Sequence, residues 1–222
     1  MEKILLTGFE PYGHTPHNPA ESVARALDGK TGRDFEIVSR IAPSSFFDCI
    51  RFVQDQISEI NPAVVVMLGE YGGRSMITVE RLAQNLNDAT RYGLEDNQGC
   101  APQDEMTVPD GPVGYYSTLP IRAMVKAMRE GGIPADISDA AGTLCCNHLM
   151  YGILHYIQVN QLPIRAGWIH LPPLPEVAAL PENLGLPSMS VETSARGVEI
   201  ALRAIVENRE DIEEPILSRW QI

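Results

Sequence analysis

The segment Ala141-Gly142-Thr143-Leu144-Cys145-Cys146-Asn147 places two thiols at the start of a stretch whose apolar residues recur at helical spacing. The first turn of a helix leaves backbone N–H groups unpaired and carries the positive end of the macrodipole, so a cysteine there gains thiolate character and becomes a nucleophile. A thiol nucleophile needs a base, and the base needs a group that orients it. Elsewhere the chain offers His170, at the end of an apolar run, and Glu80, inside Ile77-Thr78-Val79-Glu80-Arg81. Cysteine, histidine and carboxylate together make a hydrolytic triad. Each also has a plain structural reading. The cysteine pair would be core packing, His170 a satisfied core histidine, and Glu80 a strand-surface partner of Arg74 or Arg81.

The composition narrows the classes. A chain of 222 residues can bury one sizeable α/β core, and residues 1-222 are expected to form a single domain. A net charge of -12 argues against nucleic acid and anionic membranes as partners, since both select for basic patches. Cys49, Cys100, Cys145 and Cys146 show no C-x-x-C spacing, so neither a zinc site nor a disulfide framework is expected. Reduced thiols imply the cytoplasm. Met1 to Gly8 lacks the charged region, apolar core and cleavage site of a signal peptide, and no run reaches transmembrane length. Cys145 and His148 stand one helical turn apart, but two ligands do not make a metal site; neither metal nor cofactor is expected. His14, His17, Cys49, Cys100 and His155 receive no role.

The elements that must position these groups follow from periodicity. Lys3–Phe9 reads as a buried strand, followed by the turn residues Glu10-Pro11-Tyr12-Gly13. A helix is predicted from Asn18 to Leu27 with Pro19 in its first turn, a strand over Phe35–Ile41, and a helix from about Ser45 to Ile60. Ala63–Leu68 is unbroken apolar sequence, as in a strand covered on both faces. Met76–Leu86 reads as one strand bearing Glu80, and residues 87–112 as a long loop of functional character. Helices follow over Leu119–Met128, Leu144–Gln158 and Val191–Glu207, with strands at Ala135–Ser138 and Ile164–His170. This alternation predicts a three-layer α/β/α sandwich around a twisted, mostly parallel mixed sheet.

Gly8-Phe9-Glu10-Pro11-Tyr12-Gly13, Asn18-Pro19, Gly72-Gly73-Arg74, Ile77-Thr78-Val79-Glu80-Arg81, Ala141-Gly142-Thr143 with Cys146-Asn147, and Ala166-Gly167-Trp168-Ile169-His170 stand in one order along the chain. In that order the sequence resembles the pyroglutamyl peptidase I family of cysteine peptidases. The resemblance implies an exopeptidase that removes amino-terminal 5-oxoproline from small peptides. It assigns Cys146 as nucleophile, His170 as general acid–base and Glu80 as the group that orients the imidazole. Backbone N–H groups at the helix start would hold the oxyanion. It carries the lactam slot to Phe9 and Tyr12, the latter replacing the usual Phe, and adds Asn18, Glu70 and Arg91 as substrate-binding candidates. Family members commonly form dimers or tetramers, so a homo-oligomer is expected.

The departures bear on specificity. Glu70 and Tyr71 bring an acceptor and bulk near the slot, Thr90 intrudes before Arg91, Leu144 replaces a usual Tyr, and Cys145 stands where an aliphatic residue is usual. Arg91 would steady the loop or the triad carboxylate, or else is a solvated loop charge. Two other readings stand beside the peptidase: a noncatalytic or altered-specificity relative that binds peptides or lactams, and a phosphate-dependent transferase. The second requires an arginine cradle for which only Arg74 and Arg91 are available.

Overall fold

Five apolar residues in a row, Val64 to Leu68, form a strand here because both of its faces are covered. A computed structural model of the chain describes residues 1–13 and 15–219; His14 lies outside them. In chain order it contains β1 (Glu2–Phe9), α1 (Pro19–Leu27), β2 (Phe35–Ala42), α2 (Asp48–Ile60), β3 (Val64–Glu70), β4 (Ile77–Glu80), β5 (Leu82–Gln84), β6 (Gly114–Tyr116), α3 (Ile121–Glu130), β7 (Ala135–Ser138), α4 (Cys145–Val159), β8 (Arg165–Leu171), α5 (Pro175–Ala178) and α6 (Val191–Glu207). Six strands make one sheet in the order β2-β1-β3-β8-β4-β7. Neighbours are parallel except β4 against β8, while β5 and β6 pair as a separate antiparallel ribbon.

Strand alternation builds a core on each side of the sheet. Ile4 and Leu6 of β1, with Val64, Val66 and Leu68 of β3, pack in one cluster with residues of α1, α3 and α6. Leu5, Val65 and Met67 point the other way, into a cluster with residues of α2 and α4. Each such side chain, fully buried, contributes about 1.5–3 kcal/mol. The three-layer α/β/α sandwich with a mostly parallel mixed sheet is therefore the architecture found.

Helix starts follow local chemistry. Asn18 accepts from the Ala20 N–H at 2.9 Å and Pro19 occupies the first turn of α1. Ser190 caps α6 through the Thr193 N–H. Two stretches depart from the sequence reading. The helix expected from Ser45 begins at Asp48, because Ser45–Phe47 forms a tight turn with Phe47 at φ 63°. The strand expected over Met76–Leu86 breaks at Arg81, where β4 leaves the main sheet and β5 joins β6. The short β6, inside a Gly/Pro-rich surround, carries no readable alternation.

Candidate active site

The antiparallel insertion of β4 decides the site. Thr78 lies opposite His170 and Glu80 opposite Trp168. Directly opposed residues share a face, and so do positions two apart, which puts Thr78, Glu80, Trp168 and His170 on one side of the sheet. Trp168 belongs to the core cluster shared with α4, so this is the side that receives Cys146. The diagonal offset lets Glu80 reach His170, with Oε1 at 2.7 Å from Nδ1. A carboxylate only accepts, so Nδ1 carries the proton and Nε2 is left with a free lone pair.

Glu80 is fully buried and does not stand alone. Arg74 donates to its Oε1 at 2.8 Å, and the same guanidinium also reaches Thr78 and Ser138. Arg74 in turn lies 3.6 Å over the Tyr71 ring, whose edge meets His170 with centroids 5.3 Å apart. Burial by itself would raise the Glu80 pKa, but the bond from His170 and the charges of His170 and Arg74 outweigh it and hold the group below the ordinary carboxylate value. For His170, burial lowers the pKa despite the pull of Glu80. The resting imidazole is therefore neutral.

Cys146 enters at the second position of α4. No side chain caps this helix, so its first-turn N–H groups remain available to a bound oxyanion. Asn147 fixes the helix start: its side chain accepts from the Gln84 N–H at 2.8 Å and donates to the carbonyls of Gln84 and Leu86. Gly142, at φ +87°, turns the chain into the helix. Opposite, Gly69 leaves the space the reacting groups use. A Cβ there would stand 2.8 Å from Cys146 Sγ, 3.2 Å from His170 Cδ2 and 2.6 Å from Trp168. Sulfur and the free edge of the imidazole thus converge on one spot. Among the described residues the thiol makes no hydrogen bond to His170, a looseness common in unliganded sites.

The thiol also departs from the simple helix-dipole expectation. Burial raises its pKa, and Glu80 and Glu70 raise it further, against its own backbone N–H and Arg74. Burial thus favours the uncharged form of both the thiol and the imidazole.

Cys146 sits where two cavities meet. The inner one, about 70 Å³, is lined by Phe9, Tyr12, Asn18, Phe46, Glu70 and Cys145 among others. The outer one, about 290 Å³, adds Tyr71, Tyr92 and His170. A chamber so small takes one compact ring, and its mostly apolar lining suits an uncharged one. The long loop 87–112 supplies part of both walls through Ala89, Leu94 and Asp96, and Asp96 ties it to the turn before α2 by accepting from the Phe46 N–H at 2.7 Å.

Phe9, Tyr12, Asn18 and Glu70 all line the inner cavity. Asn18 serves twice, as helix cap and as wall. Arg91 does not join them. It is exposed in a short 3-10 turn, its guanidinium 5.5 Å from the Tyr92 ring, and lines neither cavity. Glu80 is held by Arg74 instead, because the turn that joins β3 to β4 carries Arg74 back beside it. Sequence reasoning gave Gly69 and Asn147 no place in the site, and offered Arg74 only as a surface ion-pair partner of Glu80. For Arg74 the signal was present in its four- and six-residue offsets from Thr78 and Glu80. No metal-binding group of three or more His, Cys, Asp or Glu occurs among the described residues. His148 spends its ring nitrogens on the Phe47 N–H and on Thr107 and Asn87, and His155 stacks on Tyr151.

Residues 2–208 match the family model described as pyroglutamyl peptidase. The chain is 59% identical over its whole length to the pyrrolidone-carboxylate peptidase of Mycobacterium tuberculosis, covering 100% of both. It is 42% identical to that of Bacillus cytotoxicus, over 96% of this chain and 97% of the other. Among solved structures, pyroglutamyl peptidase I from Bacillus amyloliquefaciens superposes with a TM-score of 0.92 at 36% identity, covering 96% of this chain and 99% of that one. Pyrrolidone carboxyl peptidase from Thermococcus litoralis gives 0.90 at 36%, covering 97% and 100%.

Proposed function

The chain belongs to the pyroglutamyl peptidase family and is a cysteine peptidase that removes amino-terminal pyroglutamate from peptides, and from that premise we propose that Cys146, His170 and Glu80 carry the reaction. The observation that carries this reading is the position of the Cys146 sulfur between a ring-sized cavity and an outer one that holds His170. The lactam ring enters the inner cavity, past Phe9 and Tyr12, and the rest of the peptide stays outside. Sγ attacks the carbonyl carbon of the bond after the ring while His170 Nε2 takes the thiol proton. The oxyanion faces the uncapped N–H groups of α4. His170 then protonates the leaving amine, and the thioester that remains is hydrolysed by water, with the same imidazole as base. Glu80 keeps Nδ1 protonated and stabilises the imidazolium; Arg74 holds Glu80 in place.

Residues 1-222 form one domain on this reading. A nucleophilic thiol beside three further free cysteines suits a cytoplasmic setting; separately, no helix among the described residues is long and apolar enough to cross a membrane. Val113 and Tyr116, exposed at the β5–β6 ribbon, support a homo-oligomer. A chromogenic 5-oxoprolyl amide tests the central assignment. Turnover by the wild type that vanishes in Cys146→Ser with the fold intact is the expected result, and full activity in Cys146→Ser would overturn it.

A further inference from the structure

Glu70 ends β3 and lines both cavities. Its side chain makes no hydrogen bond or ion pair among the described residues, and its Oε2 is buried without a partner. An ionised carboxylate so placed would set an uncompensated charge against a mostly apolar wall with no cation to balance it. The titratable groups that share its cavities offer no cation. They are the Tyr12 phenol from the loop after β1, the Cys145 and Cys146 thiols from α4, Tyr92, Glu95 and Asp96 from the long loop, and the neutral His170 from β8. Its sequence neighbour Tyr71 lies under Arg74, and Arg74 is committed to Glu80. Burial pushes the Glu70 carboxyl up to about 7.

We propose that Glu70 sets specificity in the inner cavity as a neutral carboxylic acid, its O–H donating to the lactam carbonyl while its C=O accepts from the lactam N–H. This rests on the pyroglutamate reading above and says how that ring is told from others. A five-membered lactam is locked in the cis amide form, so its N–H and C=O stand side by side on one edge. A carboxylic acid presents the complementary donor and acceptor at matching spacing, and the two close a ring of two hydrogen bonds. The carboxylate has acceptors only: it can take the N–H but faces the lactam oxygen with like charge. An amino-terminal proline inverts the preference, since it lacks the ring carbonyl and carries a charged amine that the carboxylate would satisfy. The protonation state of Glu70 therefore decides between lactam and amine.

The test uses 2-pyrrolidone, the bare lactam ring, and reads the concentration that half-protects Cys146 from iodoacetamide in wild type, Glu70→Gln and Glu70→Leu, at about pH 6 and about pH 8.5. Glutamine presents a donor and an acceptor at both pH values; leucine presents neither. The expected result is protection that weakens about tenfold or more at the higher pH in wild type, changes little in Glu70→Gln, and is poor at both in Glu70→Leu. Equal pH dependence in wild type and Glu70→Gln would overturn the proposal, as would undiminished protection in Glu70→Leu. Cleavage of 5-oxoprolyl and prolyl amides by the same proteins separates the two levels. If the wild type cleaves the lactam but the protection pattern fails, only the Glu70 role falls; if it cleaves no lactam at any pH, the pyroglutamate reading falls.

Discussion

At the scale of single residues, the site is a chain of partners: Arg74 holds Glu80, Glu80 holds His170, and His170 faces the sulfur of Cys146 across the space left by Gly69. Cys146 should be the first cysteine labelled by iodoacetamide, because only it has a base beside it; mass mapping that finds Cys145 or Cys100 labelled first would remove it as nucleophile. Glu80→Gln should keep the fold and lower kcat by about two orders of magnitude or more, since the amide can no longer enforce the Nδ1–H tautomer. The pH profile carries a sign. With the His170 pKa lowered by burial, the acid limb of kcat/KM should lie below the ordinary imidazole value of about 6.5. An acid limb at or above that value would mean that the imidazole is held charged. Gly69→Ala should cost both activity and stability, because its methyl group would press on Sγ at 2.8 Å and on the buried Trp168 ring at 2.6 Å; an alanine variant with unchanged kcat/KM would show that the sulfur has room to move.

At the scale of elements, what matters is how α4 is seated. Asn147 spends three hydrogen bonds on the backbone of residues 84 and 86, so Asn147→Ala should destabilise by about 2 kcal/mol or more through the buried groups it strands. Chemical denaturation measures that loss, and turnover should fall with it because the helix start moves. Phe9 is buried against Trp168, with ring centroids 5.8 Å apart. Truncation to alanine would therefore cost about 3–5 kcal/mol of stability and confuse binding with folding. Phe9→Leu is the cleaner probe and should raise KM for the lactam while leaving Cys146 alkylation in place.

For the whole molecule, acid stability has an identifiable contributor in His148. It is fully buried and accepts the Phe47 N–H at 2.9 Å, holding Phe47 at its positive φ. Burial lowers its pKa to about 4, below the unfolded value of about 6.5. Between these values the unfolded chain binds a proton that the folded chain refuses, so stability falls as pH drops from about 6.5 through about 4. Denaturation midpoints measured across that window should decline in wild type and decline less in His148→Gln. Equal slopes would mean that carboxylates alone govern acid unfolding.

The local code of this chain was strong where one period or one cap decides the outcome. α6 runs over the predicted Val191–Glu207, Pro19 and Asn18 start α1, and the apolar run in β3 declares a central strand because nothing but cover on both faces tolerates it. The helix start at Cys145-Cys146 was legible in the same way, from position and residue type, whereas Phe9 and Tyr12 were placed beside a cavity only through the family resemblance. Whether Glu80 shares a face with His170, which of Arg74 and Arg91 supports it, and which way burial shifts the thiol were decided only by tertiary structure. The first two depend on β4 running antiparallel beside β8 and on the turn that leads into it, the third on how deeply α4 buries the sulfur. Strand direction and register are set by packing between residues some ninety positions apart, which no local pattern encodes, and a buried group takes its charge from neighbours that the fold alone brings to it.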